Sequence, residues 1–200
     1  MRRLRERKID TPEFYEKVWS EEYNTRPYYD AVRQRALAQK VEPGNRVIDL
    51  GAGCFGTAQF IVEELQIPDV LLIAVDYSYT ARRIVLNRLA GHHCFNYVCH
   101  AAESTPLRAS WFDVVIAGEL IEHYEDPAVL VQEMARLTKP GGWMVISTVN
   151  TKCPNAIAHC DYPEHVWEFE PEDLIRMFAP FGKPYYFLLG DYHMLECQRI

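Results

Sequence analysis

The stretch Arg46–Gly56 reads RVIDLGAGCFG and decides the fold of this 200-residue chain. Its first half is a short apolar run rich in β-branched residues, which predicts a buried strand. Its second half fits the pattern G-x-G-x-x-G, and a helical pattern follows over residues 57–65. Glycines at those three positions let the backbone approach a ligand closely. The stretch therefore predicts a strand, a ligand-binding loop and a helix, in that order.

Two carboxylates indicate which ligand this loop binds. Asp76 ends the next apolar run, twenty residues beyond Gly56, where a carboxylate can accept hydrogen bonds from both ribose hydroxyls of a nucleoside. Asp49 lies two residues before the first glycine. There it would repel the pyrophosphate of a dinucleotide but attract the ammonium of a methionine moiety. The two acids together favour S-adenosylmethionine over NAD.

Apolar runs alternate with helical patterns along the chain, which predicts an α/β protein with a parallel sheet and crossover helices. After the first strand, further strands are expected at residues 71–75, 95–99, 112–117, 143–149, 185–189 and 194–199, the last two forming an antiparallel pair. Helices are expected after the N-cap Thr11, from about Pro27, after the N-cap Asp126, and over residues 171–179. A doubly wound sheet of this kind binds ligands at the carboxyl ends of its strands.

Length and composition predict one compact domain. A chain with 48% hydrophobic and 24% charged residues can bury a sizeable core. We divide it into a basic N-terminal arm with a helical lid, residues 1–40, and an S-adenosylmethionine-binding domain, residues 41–200. No apolar run approaches the roughly 18 residues of a membrane span, and no signal peptide is evident, which favours a cytoplasmic protein.

The chain resembles the class I S-adenosylmethionine-dependent methyltransferases over residues 41–182. Six motifs agree in order: DLGAGCFG at 49–56, VDYS at 75–78, AESTPL at 102–107, FDVV at 112–115, ELIEH at 119–123 and KPGG at 139–142. The resemblance implies a three-layer α/β/α Rossmann-like fold. Its seven-stranded sheet would have the order 3-2-1-4-5-7-6, with strand 7 antiparallel. The aromatic residues before the first strand are expected to pack the N-terminal helices onto the sheet, and some of them to form a lid, because methyl transfer from a sulfonium requires water to be excluded.

The same resemblance implies roles for individual residues. The implied cofactor-binding residues are Asp49, Gly51, Ala52 and Gly53 for the methionine part, Asp76 for the ribose, Tyr77, Ala102 and Glu103 for the adenine, and Gly118 beside the methionine moiety. Arg26 resembles an arginine that some small-molecule methyltransferases carry just before the fold begins, and it is the candidate cation for the methionine carboxylate.

The region after the fourth strand holds the candidate catalytic residues. Glu119, Glu122 and His123 lie at positions i, i+3 and i+4, so on a helical turn they would share one face at the edge of the sheet. His165 follows the fifth strand and could reach the same edge of the sheet. Three interpretations stay open: these residues orient the loop by hydrogen bonds, or His123 is a general base, or all four hold a divalent ion such as Mg²⁺ or Mn²⁺ that lowers the pKa of an acceptor hydroxyl.

Two families that the chain resembles carry a similar set of acids and histidines, the ubiquinone-biosynthesis O-methyltransferases and the small-RNA 3′-end 2′-O-methyltransferases. The formal net charge is −7, although Met1–Lys8 holds five basic residues. A small-molecule acceptor methylated on oxygen is favoured, because the acidic body offers no basic groove interleaved with aromatic residues. RNA is an alternative through the basic arm. A non-catalytic, methyltransferase-like partner subunit is a second alternative, which the intact glycine loop and Asp76 disfavour.

Overall fold

The structure is a computed structural model, and it describes residues 1–4, 11–21, 30–150, 152 and 164–200. Its elements in chain order are β1 (Arg2–Arg3), α1 (Pro12–Ser20), α2 (Ala31–Leu37), β2 (Arg46–Leu50), α3 (Thr57–Phe60), a π-helical turn (Ile61–Leu65), β3 (Leu71–Asp76), α4 (Tyr79–Arg88), β4 (Phe95–Cys99), β5 (Phe112–Gly118), a 3₁₀ turn (Ile121–His123), α5 (Pro127–Leu137), β6 (Thr138–Val149), β7 (Trp167–Glu168), α6 (Pro171–Phe178), β8 (Gly182–Leu189) and β9 (Tyr192–Arg199).

Seven strands form one sheet in the order β4-β3-β2-β5-β6-β9-β8. Counted along the sheet-forming strands alone, this is the predicted order 3-2-1-4-5-7-6. Strand β9 is antiparallel to both of its neighbours, whereas β2, β3, β4, β5 and β6 pair in parallel. The predicted fold class and the antiparallel last strand are therefore confirmed.

Side chains that alternate along the central strands supply two separate apolar cores. Val47 packs with Ala58 and Leu72 on one face of the sheet, while the next residue, Ile48, packs with Leu130 on the other. Because successive side chains on a strand point to opposite faces, a strand covered by helices on both sides is apolar throughout. This arrangement gives the three layers of the fold, with the carboxyl ends of β2, β3 and β5 open at one edge.

Polar residues at the helix starts explain where the helices begin. The Thr11 hydroxyl accepts a hydrogen bond from the backbone N–H of Phe14 at 3.1 Å, and Asp126 accepts one from Ala128 at 3.0 Å, as their sequence positions predict. The described part of the second helix is Ala31–Leu37, and its expected start at about Pro27 lies outside the described residues. The start at Ala31 is fixed by the Asp30 carboxylate, which accepts from the N–H groups of the second and third helical residues.

The first residues of the basic arm form a strand that pairs with the segment before α6. Arg2 and Arg3 lie opposite Glu168 and Trp167 in an antiparallel pair, and the Leu4 N–H donates to the Val166 carbonyl at 2.7 Å. Arg2 forms an ion pair with Glu168 at 2.5 Å, and the Arg3 guanidinium lies over the Trp167 ring. Arg2 and Arg3, two of the five basic residues of the arm, are thus engaged by the rest of the protein, and the other three lie outside the described residues.

No helix in the described parts of the chain has both the length and the apolar character needed to cross a membrane.

Candidate functional site

A cavity of about 540 Å³ lies at the carboxyl ends of β2, β3 and β5. Its volume is in the range of pockets that enclose small ligands and cofactors. The predicted site residues that line it are Asp49, Gly51, Ala52, Gly53, Asp76, Tyr77, Ala102, Gly118, Glu119 and His123. Tyr15, Val18 and Trp19 of the predicted first helix also line it, and Tyr15 and Trp19 are among the aromatic residues from which a lid was expected. The sequence did not single out the other lining residues Arg33, Leu120, Tyr124 and Glu164.

The glycine loop bends into the cavity through left-handed backbone at two of its residues. Gly51 has a φ of 69° and Gly53 a φ of 51°, values that glycine adopts without steric cost. A Cβ on Gly51 would stand 2.6 Å from the Leu120 side chain, and a Cβ on Gly53 would stand 2.5 Å from Trp19. Both glycines therefore serve the conformation of the loop and the close packing above it.

Asp49 holds the loop to the helix that follows it. Its carboxylate is 2% exposed and accepts a hydrogen bond from the Ala58 N–H, in the first turn of α3, at 2.8 Å. A Cβ on Gly56 would stand 2.5 Å from the Ala52 carbonyl oxygen and 2.9 Å from Asp49, so only glycine fits there. Burial raises the pKa of Asp49 to about 7, although the N–H donor and the positive charge of Arg33 oppose this shift.

Asp76 joins the glycine loop to the end of β3. One carboxylate oxygen accepts from the Gly53 N–H at 3.0 Å and the other accepts from the Ser78 N–H at 3.0 Å. Burial raises the pKa of Asp76, while these backbone donors act in the opposite direction. The carboxylate is therefore fixed at the edge of the cavity in a single orientation.

Glu103 links two tyrosines on the side of the cavity predicted to receive adenine. The hydroxyl of Tyr77 donates to one Glu103 oxygen at 2.9 Å, and the hydroxyl of Tyr124 donates to the other at 3.0 Å. Ala102, the preceding residue, is buried. Both tyrosine rings line the cavity, so Glu103 sets the position of this wall.

Three of the four predicted acceptor-side residues come together. Ligand atoms of Glu122, His123 and His165 all lie within 4.8 Å of one another. The two imidazole rings meet edge to face with their centroids 4.9 Å apart. The Tyr15 hydroxyl of α1 lies 3.2 Å from Nδ1 of His123, so the N-terminal helix contacts this cluster.

Glu122 is the most deeply buried member of the cluster, with no exposed surface. One carboxylate oxygen accepts from the Thr148 hydroxyl at 2.8 Å, and no hydrogen-bond partner in the described part of the chain reaches the other. Burial, followed by the charge of Glu119, raises the pKa of Glu122 to about 7. A buried carboxyl oxygen without a partner is costly unless a proton or a cation occupies it.

The helical face predicted for Glu119, Glu122 and His123 is wrong. Glu119 has a φ of 52°, and the 3₁₀ turn begins only at Ile121. The Glu119 carboxylate instead accepts from the Ser147 hydroxyl at 2.9 Å and lies 3.5 Å from Nη1 of Arg33. Left-handed backbone at Glu119 turns its side chain away from the other two residues and toward α2.

Arg26, the predicted partner of the methionine carboxylate, lies outside the described residues. The structure does bring another arginine into the cavity, Arg33 of α2. Two aspects of the sequence could have indicated it: Arg33 lies one turn before the apolar Leu37, and the N-cap Asp30 fixes the orientation of this helix.

Comparison with known proteins agrees with this geometry. The family model described as "Methyltransferase domain" matches residues 21–182. The malonyl-[acyl-carrier protein] O-methyltransferase of Marinomonas sp. (strain MWYL1) is 31% identical over 74% of this chain and 56% of its own length. The ubiquinone biosynthesis O-methyltransferase of Thiobacillus denitrificans is 28% identical over 70% of this chain and 60% of its own length. The chain therefore spans a little over half the length of these two relatives.

Solved structures share the fold at lower identity. A methyltransferase of Haloferax volcanii, solved in complex with the activator Trm112, superposes with a TM-score of 0.72 at 14% identity, over 92% of this chain and 97% of that one. Phosphoethanolamine N-methyltransferase 2 of Haemonchus contortus, solved with S-adenosyl-L-methionine, gives a TM-score of 0.65 at 20% identity, over 88% of this chain and 43% of that one. These structures show the same fold, and the family match over residues 21–182 together with the two curated relatives shows that the chain belongs to the class I S-adenosylmethionine-dependent methyltransferases.

Proposed function

We propose that this chain transfers the methyl group of S-adenosylmethionine to a hydroxyl oxygen of a small-molecule acceptor. The observation that carries the proposal is a single cavity lined both by the glycine loop with its two acids and by His123 of the acceptor-side cluster. A donor bound on the loop and an acceptor bound beside His123 would meet in the same enclosed space. The two O-methyltransferases that the chain resembles support oxygen as the methylated atom.

The residues of the loop fit the cofactor. Asp76 ends β3 as the acid that would accept the ribose hydroxyls, and the glycine loop lines the cavity beside it. Tyr77 and Tyr124, held by Glu103, would bound the adenine. When bound, S-adenosylmethionine supplies a methyl group on a positively charged sulfur. Buried acids such as Asp49 and Asp76 suit a ligand of that charge.

His123 is the group that we propose takes the proton of the acceptor hydroxyl. Its contact with the Tyr15 hydroxyl orients the ring, and the buried Glu122 carboxyl lies beside it. Proton removal matters most for a weakly acidic hydroxyl, whereas placing the acceptor in line with the methyl group matters for every acceptor.

Helix α1 is proposed as the lid of this site. Tyr15, Val18 and Trp19 line the cavity from this helix. On its other side, the Glu16 carboxylate accepts hydrogen bonds from the N–H groups of Tyr79 and Thr80 at the start of α4. Negative charge is favourable at a helix N-terminus, so this contact holds α1 over the cavity and helps to keep water out.

A second version of this proposal places a metal ion in the acceptor-side cluster of Glu122, His123 and His165. The buried Glu122 oxygen that no partner among the described residues reaches and the close approach of two imidazoles favour a cation between Glu122, His123 and His165. Two nitrogen donors and one oxygen donor suit Mn²⁺ or a similar transition ion better than Mg²⁺, which prefers oxygen ligands. Such an ion would lower the pKa of an acceptor hydroxyl. Glu119, predicted as a fourth ligand, is instead engaged by Ser147 and Arg33.

Two other functions have less support. RNA as the acceptor relied on a free basic arm, and Arg2 and Arg3 are engaged by Glu168 and Trp167. A non-catalytic subunit would need neither a complete glycine loop nor an acceptor-side cluster, and this chain has both.

Replacement of Asp76 tests the cofactor site. Asp76→Asn should weaken the binding of S-adenosylhomocysteine roughly 10- to 100-fold in calorimetry, because hydrogen bonds to a charged acceptor are lost. Asp69→Asn is the matched control, since Asp69 is exposed and precedes the opposite end of the same strand. Equal affinities for the two variants would contradict the proposed role of Asp76.

The raised pKa of Asp49 predicts that cofactor binding depends on pH. Its carboxyl is largely protonated below about pH 7, and a cationic ligand favours the ionised form. Binding should therefore release a proton, and the affinity for S-adenosylmethionine, whose sulfonium is positively charged, should rise from about pH 6 to about pH 8. Without ligand the sign is reversed: because the pKa is raised from 3.8 to about 7, this carboxyl makes the fold lose stability as pH rises from about 4 to about 7. Asp49→Asn should remove the contribution of Asp49 to the proton release on binding and to the pH-dependent loss of stability. Proton release that is unchanged in this variant would contradict the assignment of the raised pKa to Asp49.

Replacement of His123 separates proton transfer from cofactor binding. His123→Ala should lower label transfer from methyl-labelled S-adenosylmethionine to a panel of small phenols and catechols roughly 10²- to 10⁴-fold. Its affinity for S-adenosylhomocysteine should stay close to that of the unsubstituted chain. Unchanged turnover would exclude His123 as the base, and transfer to RNA but to none of the small molecules would favour the RNA alternative.

Manganese titration tests the metal form directly. The unsubstituted chain should bind Mn²⁺, as followed by the loss of the free-ion electron paramagnetic resonance signal. Glu122→Gln and His165→Asn should each abolish this binding, whereas Glu119→Gln should retain it because Glu119 lies outside the cluster. If the unsubstituted chain takes up no Mn²⁺, the metal form fails and the metal-free role of His123 remains.

A further inference from the structure

We propose that Glu164 binds a cationic amine on the acceptor while the acceptor hydroxyl lies at His123. This inference rests on the proposed function, and it assigns a charge class to the acceptor and a selecting residue to the cavity wall. Glu164 and His123 line the same cavity. The site would thus distinguish a hydroxyl compound with a protonated amine from a neutral or anionic compound of the same size.

Acidic side chains outnumber basic ones along the cavity. Its described lining contains four carboxylates and one arginine, Arg33. Asp49 and Asp76 accept hydrogen bonds from backbone N–H groups, and Glu119 lies beside Arg33. The fourth carboxylate belongs to Glu164, and no group among the described residues donates a hydrogen bond to it or pairs with its charge. Glu164 therefore gives the cavity a negative charge that the described part of the chain does not compensate.

Glu164 lies next to the acceptor-side cluster. It directly precedes His165, and consecutive Cα atoms are about 3.8 Å apart. The centre of the His165 ring lies 4.9 Å from the centre of the His123 ring. One small molecule can therefore contact both His123 and Glu164.

Hydrogen bonds fix the segment that begins at Glu164. The Val166 N–H donates to the Glu122 carbonyl at 2.9 Å, and the Trp167 indole N–H donates to the Glu125 carbonyl at 3.1 Å. Both contacts join this segment to the chain in and just after the 3₁₀ turn. The Glu164 backbone is therefore held beside the turn that carries the proposed base.

An acceptor that fills the cavity makes the charge of Glu164 decisive. The residue is half-buried, so a bound acceptor displaces water from around its carboxylate. A carboxylate that loses water without gaining a partner is costly. An ammonium offsets this cost by a charge-assisted hydrogen bond, whereas an anionic group adds repulsion. The Tyr15 ring, whose hydroxyl lies 3.2 Å from His123, adds an aromatic surface of the kind that attracts cations.

Three para-substituted phenols of similar size test the charge preference. They are tyramine, propylphenol and hydroxyphenylacetate, which are cationic, neutral and anionic at neutral pH. Their binding is measured by calorimetry on the chain saturated with S-adenosylhomocysteine, so the test does not depend on turnover. Tyramine should bind most tightly and hydroxyphenylacetate most weakly.

Substitutions at Glu164 show whether this residue sets the preference. Glu164→Gln should weaken tyramine binding roughly 10-fold and leave propylphenol nearly unchanged, because it removes the charge and keeps the size. Glu164→Lys should reverse the order and favour hydroxyphenylacetate. Glu172→Gln is the matched control and should keep the original order, because Glu172 is an exposed acid outside the cavity.

The possible results separate this inference from the proposed function. A chain that binds S-adenosylhomocysteine but does not prefer tyramine, or binds none of the three phenols, would overturn the role of Glu164 and leave the cofactor site intact. An equal loss for all three phenols in Glu164→Gln would also overturn it, since such a loss reports the shape of the site. If one of the two Glu164 variants does not fold, the other decides by the same comparison. A chain that does not bind S-adenosylhomocysteine would contradict both proposals.

Discussion

The hydrogen bond from the Ala58 N–H to the buried Asp49 carboxylate is the constraint on which the site depends. It ties the end of β2 to the start of α3, so the glycine loop between them has a fixed length and a fixed shape. Gly56 has no room for a side chain because the Asp49 and Ala52 oxygens already lie against it. Asp76 then fixes the loop from the neighbouring strand through the Gly53 N–H. Two acids thus shape the loop before any ligand binds.

The features that the sequence predicts well are local or repeat a common pattern. The strand run ending at Leu50, the caps at Thr11 and Asp126, and the position of Asp76 depend on neighbouring residues, and the structure agrees with each of them. The helical face predicted for Glu119 is wrong because a hydrogen bond to Ser147 on β6 fixes the Glu119 backbone. This contact joins distant parts of the chain, so helical periodicity does not reveal it. Arg33 was missed for the same reason, since its neighbours Glu119 and Tyr192 come from separate strands.

The position of His165 depends on contacts that the next residue makes with the 3₁₀ turn and with the N-terminal segment. The Val166 N–H donates to the Glu122 carbonyl at 2.9 Å, and the Val166 carbonyl accepts from Leu4. The segment that carries His165 therefore lies between the 3₁₀ turn and the N-terminal strand. A basic N-terminus, considered alone, suggests a free arm. Here Arg2 meets Glu168, so its charge also stabilises the segment that brings His165 to Glu122.

Three of the acidic residues that make the chain negative, Asp49, Asp76 and Glu122, lie in this site. Burial raises the pKa of Asp49, Asp76 and Glu122, so unliganded protein holds these acids in an environment that disfavours their charge. A cationic ligand relieves that cost, because opposite charges attract strongly in a water-poor cavity. Arg33 is the sole arginine or lysine among the described residues that line the cavity, and it lies beside Glu119, which follows β5, whereas Asp76 ends β3. The charges are therefore ordered along the cavity, and a ligand with a positive centre and one terminal carboxylate matches that order in one direction only.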